Sequence, residues 1–157
     1  MSLDNLTTEA DSWRERLVDD GAGITRILEE MRRIAVIGIK TPESFAPAFS
    51  IPADLEESGY DVVPVPVYYP EVAELLGKPV HRSLATIDPP ADMVLLFRRS
   101  ADVPQHVEDI VAAKPRVVWM QQGIRNEKAA EQLAKAGIAV VQDRCIATEL
   151  GRRGKLR

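Results

Sequence analysis

Ile34-Ala35-Val36-Ile37 is an unbroken apolar run, closed by a glycine at position 38. It is too short for a helix and rich in β-branched side chains, so it reads as a strand buried on both faces, as in a parallel sheet. Gly38 ends the run and permits a sharp turn and a close approach of backbone to a ligand. Ile39, Lys40, Thr41 and Pro42 follow, and then a segment that becomes helical. Strand, glycine turn and helix start are the parts of an anion-binding crevice, and a phosphate is expected here.

The pattern repeats. Tyr60–Val65, Met93–Phe97, Arg116–Met120 and Ile138–Val141 are further strand-length apolar runs. Pro64 removes a ladder donor from the second, which places it at a strand end or at a position open on one side. In Pro42–Ser58 the helix either starts at Pro47 and kinks at Pro52, or is capped by Ser50 with Pro52 in its first turn. Gly59 closes that helix. Val103, Val107, Ile110 and Val111 mark the next one, with Ser100 as its N-cap. Asn126 caps a helix that carries Ala129, Leu133 and Ala134 and ends at Gly137. A helical turn is expected at Ile146–Leu150. The proline-rich crossover 66–90 is expected to hold a short helix at Glu71–Leu76, and long connections of this kind are often binding loops.

Ahead of the first strand, Trp13, Leu17 and Val18 form a helical stripe from about Ala10 to Asp19. Gly21-Ala22-Gly23 breaks it, and Ile24, Ile27, Leu28 and Met31 form a second. Residues 1–9 are polar. Residues 1–31 therefore read as a helical extension packed on the domain, 32–150 as the domain itself and 151–157 as a basic tail. Alternating strands and helices with right-handed crossovers give a single α/β domain, a doubly wound parallel sheet of about five strands. Its ligands sit outside the carboxyl ends of the strands, where strand order reverses. The ends of interest are Gly38-Ile39-Lys40-Thr41, Val65-Pro66-Val67-Tyr68, Phe97-Arg98-Arg99-Ser100, Gln121-Gln122-Gly123 and Gln142-Asp143-Arg144.

A length of 157 residues corresponds to about one domain. The net charge of −4 supplies no global basic field for DNA, RNA or an acidic membrane, yet a local basic cluster can still hold one phosphorylated small molecule. The single cysteine, Cys145, excludes an intrachain disulfide and a cysteine-cluster metal site, and a cytoplasmic location is the natural expectation. Neither a membrane span nor a signal peptide is expected, for want of a long apolar run and of a basic segment leading into an apolar one.

A dinucleotide fingerprint would need G-x-G-x-x-G and a carboxylate closing the second strand. Only Gly38 is present, and the second strand closes in Val65-Pro66-Val67, which makes free NAD a weak candidate. A P-loop is absent. The third strand instead ends in Arg98 and Arg99 at a helix start. With Lys40 they bring three positive charges to one crevice, suited to a ligand with several phosphates, although consecutive arginines point in different directions and only one need face it.

Ile34-Ala35-Val36-Ile37-Gly38, Gly59-Tyr60-Asp61-Val62-Val63-Pro64-Val65, Phe97-Arg98-Arg99-Ser100, the run from Val118 to Glu127 and Val141-Gln142-Asp143-Arg144-Cys145 occur in an order and spacing that resemble one family. It is that of the stand-alone coenzyme A-binding proteins of bacteria, Rossmann-like domains similar to the CoA-binding domain of the succinyl-CoA synthetase α-subunit. The W-x-Q-x-G-x-x-N-E run and the D-R-C triplet are its most specific parts. The resemblance implies a Rossmann-like crevice holding coenzyme A or an acyl-CoA, with Gly38, Ile39, Lys40, Thr41, Val65, Pro66, Phe97, Arg98, Arg99 and Ser100 as binding residues. Members usually carry a small residue and a serine where this chain has Ile39-Lys40.

That α-subunit works through a phosphorylated histidine in a separate domain, which is absent here. His81 and His106 lie far apart with no evident nucleophile or metal partner, and read as surface residues. Cys145 is the one possible nucleophile. It is either a small core residue or, beside a CoA site, a thiol able to form a mixed disulfide with the cofactor. Trp119 reads as core, whereas Gln121 and Gln122 read as contacts to ligand or to a neighbouring loop. Asp143 and Glu149 form no recognisable acid–base pair. The main expectation is a binding module without chemistry of its own. A detached subunit of a CoA-thioester enzyme and a binder of NAD or another adenine nucleotide are the competitors.

Overall fold

The computed structural model describes residues 12–156. Among them, five parallel strands form one sheet: β1 (Arg33–Ile37), β2 (Asp61–Val65), β5 (Met93–Leu96), β6 (Val117–Met120) and β7 (Ala139–Val141), in the order β2-β1-β5-β6-β7. The chain thus leaves β1 for one edge and then crosses back to build outward from the other side. Strand order reverses between β1 and β5, so the connections that follow these two strands leave toward opposite sides of the sheet.

Five α-helices cover the sheet: α1 (Gly21–Glu30), α2 (Pro47–Glu57), α3 (Val107–Ala113), α4 (Glu127–Lys135) and α5 (Ile146–Arg152). Alternation along the strands sorts the core into two layers. Ile34, Val36, Met93, Leu95 and Trp119 face Ile24 and Leu28 of α1, Leu55 of α2 and Ile146 and Leu150 of α5. Ala35, Ile37, Val94, Leu96 and Met120 face Ile110 of α3 and Ala129, Ala130 and Leu133 of α4. The sheet is therefore doubly wound, an α/β Rossmann-like fold. Among the described residues, no helix is long and apolar enough to cross a membrane.

Several local expectations need correction. Ser12–Arg16 is a short 3-10 helix rather than part of a longer α-helix, and the beginning of that expected stripe lies outside the described residues. Leu17 then bridges in parallel to Val140, and the Val18 N–H donates to the Val140 carbonyl at 2.8 Å. Gly21-Ala22-Gly23 does not interrupt a helix but opens α1, because Asp20 caps it by accepting the Gly23 N–H at 3.0 Å. Ser100 is no α-helix cap. Residues Ser100–His106 wind as a 3-10 helix after Arg99, since Pro104 has no N–H to return to the Ser100 carbonyl. No helix forms at Glu71–Leu76, where β3 (Glu74–Leu75) and β4 (Lys78–Pro79) make a small antiparallel ribbon around Gly77.

Both prolines read as awkward find physical answers. Pro64 lies in β2, which is the sheet's edge. The helix α2 starts at Pro47 and keeps Pro52 inside it. Pro52 cannot donate to the Ala48 carbonyl four residues back, and the Lys40 N–H donates to it instead at 3.1 Å. The flaw in the helix thus anchors the loop after β1.

Candidate functional site

A crevice of about 470 Å³ opens at the carboxyl ends of β1, β2 and β5, lined by Lys40, Ala46, Pro47, Ala48, Tyr68, Phe97, Arg98, Arg99 and Ile124. It lies at the point where strand order reverses. Its apolar floor and basic rim suit a ligand with a planar or aliphatic body and an anionic end.

The residues expected to bind divide into several roles. Gly38 has φ +88°, and a Cβ there would stand 2.2 Å from the Phe97 carbonyl oxygen. The close approach that requires glycine in the fold itself is therefore to the end of β5. Its N–H donates to the Val65 carbonyl, and the Phe97 N–H donates to Ile37, so the turn is stitched to both neighbouring strands (2.9 Å each). Ile39 is 1% exposed and points into the core. Val65 and Pro66 are buried as well. Thr41 borders an adjacent hollow with Pro42, Val72 and Leu75. Lys40, Phe97, Arg98 and Arg99 face the crevice. Ser100 does not line it, since the Ser100 hydroxyl accepts the Arg125 N–H at 3.0 Å and its carbonyl accepts Asn126 Nδ2, also at 3.0 Å.

The two arginines differ sharply. The Arg98 side chain is 8% exposed and that of Arg99 is 84% exposed. Asp102 draws on both, accepting Arg99 Nε at 2.9 Å and lying 3.8 Å from the Arg98 guanidinium. The hydrogen bond from Arg99 holds the Asp102 carboxyl below its ordinary pKa. Arg98 also donates through Nε to His106 Nε2 at 3.1 Å and approaches the Tyr68 hydroxyl at 3.4 Å. Its guanidinium lies over the Tyr68 ring, 5.7 Å from the centroid, within cation–π range.

Tyr68, named only as part of a strand end of interest, and His106 were not among the expected binding residues. Tyr68 carried a faint signal, an aromatic following the second strand in a proline-rich loop. His106 carried none, because its reach to Arg98 depends on the 3-10 winding between them. His81 makes a 2.7 Å contact through Nδ1 with the Thr86 hydroxyl. Neither histidine is a fully exposed surface residue; both are half-buried.

The two most distinctive sequence runs bond to each other. Trp119 Nε1 donates to the Arg144 carbonyl and Gln121 Oε1 accepts the Ile146 N–H, both at 2.8 Å. Gly123 N–H donates to Asp143 at 2.7 Å, Asn126 N–H to Gln142 at 2.9 Å, and Asn126 caps α4 through Ala129 N–H. Of the alternatives for Gln121, the neighbouring loop is the one realised. Cys145 stands at the start of α5, half-buried and outside the crevice lining. Burial pushes its thiol up, but hydrogen bonds with Thr148, Gln121 and Ala147 outweigh that and leave the pKa below its ordinary value.

A family model described as a CoA binding domain matches residues 32–151. An uncharacterized protein of Bacillus subtilis, YneT, is 35% identical over 125 residues, covering 80% of this chain and 90% of the relative. A solved structure from Thermus thermophilus is 34% identical, with TM-score 0.77 over 85% of this chain and 98% of that one. A hypothetical protein from Pyrococcus horikoshii is 30% identical, with TM-score 0.78 over 85% of this chain and 92% of that one. With the sheet, the Gly38 turn and the interlocked runs all falling inside the matched residues, this chain belongs to the CoA-binding domain family.

Proposed function

We propose that the chain binds coenzyme A or an acyl-CoA in the crevice after β1, β2 and β5 and performs no chemistry of its own. The observation that carries this reading is the basic rim of Lys40, Arg98 and Arg99 on an otherwise apolar crevice at the strand-order reversal. Family membership supplies the ligand class. The phosphates would be met by the guanidinium and ammonium groups, and the apolar parts by Phe97, Ile124 and the Ala46–Ala48 turn. Ile39, Val65 and Pro66 act from below, as buried supports that hold the rim in place. The protein is then a carrier or sensor of the liganded state, and no nucleic acid or membrane is part of the reading.

Parallel calorimetric titrations with CoA, acetyl-CoA, NAD and ADP test it. CoA is expected to bind more tightly than NAD, and Arg98→Ala to weaken CoA about tenfold or more, the loss of one charge-assisted hydrogen bond. Tighter binding of NAD, or CoA affinity untouched by Arg98→Ala, would overturn the assignment.

A further inference from the structure

Arg98 is the most enclosed cation of the crevice, and a histidine holds it. An arginine can only donate, so the 3.1 Å bond from its Nε requires a lone pair on His106 Nε2. The imidazole is therefore neutral, with its proton on Nδ1. A guanidinium fixed through Nε keeps its plane, which is the property that recognition of phosphate oxygens needs.

We propose that His106 is a positioning residue of this crevice: the neutral imidazole orients Arg98 toward an anionic ligand, and protonation of His106 releases Arg98 and lowers ligand affinity. This rests on the reading of the crevice as the CoA site. The charged groups facing His106 are Arg98 from the loop after β5, Asp102 from its own 3-10 stretch and Asp109 from α3. The two carboxylates are already engaged, Asp102 by Arg99 and Asp109 by the Leu84 N–H at 3.2 Å. Burial and then the charge of Arg98 hold the His106 pKa below its ordinary value, against the pull of Asp109 and Asp102. Near neutrality the ring is thus an acceptor, and acidification converts it into a second cation against Arg98. His106 does not line the crevice, so its effect on ligand passes through Arg98.

The test is CoA titration of the wild type, His106→Gln and His106→Leu at about pH 8 and about pH 4.5, the lower value set well under an ordinary histidine pKa because that of His106 is depressed. Glutamine keeps an acceptor that does not titrate, and leucine removes it. At the higher pH the wild type and His106→Gln should agree within about threefold, and His106→Leu should bind about tenfold more weakly. At the lower pH the wild type should lose about tenfold relative to His106→Gln, a ratio from which the protonation of CoA itself cancels. A flat ratio, or a gain by the wild type, overturns the proposal while CoA binding at pH 8 leaves the crevice reading standing. Absence of CoA binding by the wild type at pH 8 overturns both. If His106→Leu fails to fold, the comparison with His106→Gln decides alone.

Discussion

At the scale of single residues, Gly38 shows how a turn legible in sequence can answer to a contact that is not. The run Ile34–Ile37 followed by glycine identified a strand and a tight turn, and both are present. The partner that demands glycine is the Phe97 carbonyl, a contact between elements that are distant in sequence. Gly123 is the natural control, with φ +86° but open space around its missing Cβ. Gly123→Ala should cost only the left-handed conformation, about 1–2 kcal/mol. Gly38→Ala should cost clearly more, because backbone must move as well. Urea denaturation of the two variants measures the difference, and equal losses would show that the β1 and β5 ends yield easily. The same blindness to distant contacts hid His106. Lys40, Arg98 and Arg99 were legible as a basic group, because charge at strand ends needs no tertiary knowledge. What orients Arg98 was not.

At the scale of elements, the strands and most helices were legible from periodicity, whereas Glu71–Leu76 was not. A short helix is expected there, but the left-handed Leu76 and Gly77 turn the chain into a ribbon. The distinctive W-x-Q-x-G-x-x-N-E run was recognised without its purpose. Its residues are the fastening between the loop after β6 and the start of α5. Gln121 is a buried polar member, and its carboxamide serves both the Ile146 N–H and the Cys145 sulfur, the latter at 3.8 Å. Gln121→Leu would leave a buried N–H without a partner, a loss of about 1–3 kcal/mol. It would also remove one of the hydrogen bonds that lower the Cys145 pKa, so the thiol should titrate higher. The pH profile of iodoacetamide alkylation reads this directly. An unshifted or lowered thiol pKa would place the control of Cys145 with Thr148 and Ala147 alone.

At the scale of the whole molecule, the question is what joins the residues before β1 and the end of the chain to the sheet. The apolar part is plain: α1 and α5 bury Ile24, Leu28, Ile146 and Leu150 in one layer. The polar part converges on Glu149, whose side chain is 6% exposed. Arg144, Arg152 and Arg153 reach its carboxylate at 3.6, 2.9 and 3.3 Å. Arg144 continues to Asp19 at 2.8 Å, and Arg153 to the Thr25 hydroxyl at 2.8 Å and the Gly21 carbonyl at 3.1 Å. Arg152 and Arg153, which look like the start of a loose basic tail in sequence, are therefore both paired to a single buried charge, Arg153 from a half-buried position and Arg152 from an exposed one. Sequence periodicity could place Glu149 on a helix but could not reveal three arginines around it. Removing the carboxylate leaves Arg153 and Arg152 without their anion while Arg144 keeps Asp19, and the loss from breaking a buried ion pair is about 3–5 kcal/mol. Glu149→Ala should fall toward the lower end of that range, because Arg152 is well exposed and water screens it. Glu131→Ala, which removes the exposed 3.0 Å pair with Lys135, should cost no more than about 0.5 kcal/mol. Denaturant unfolding of both variants makes the comparison. If Glu149→Ala is no worse than Glu131→Ala, the apolar layer alone holds the two ends of the chain to the sheet, and the arginine cluster is incidental to stability.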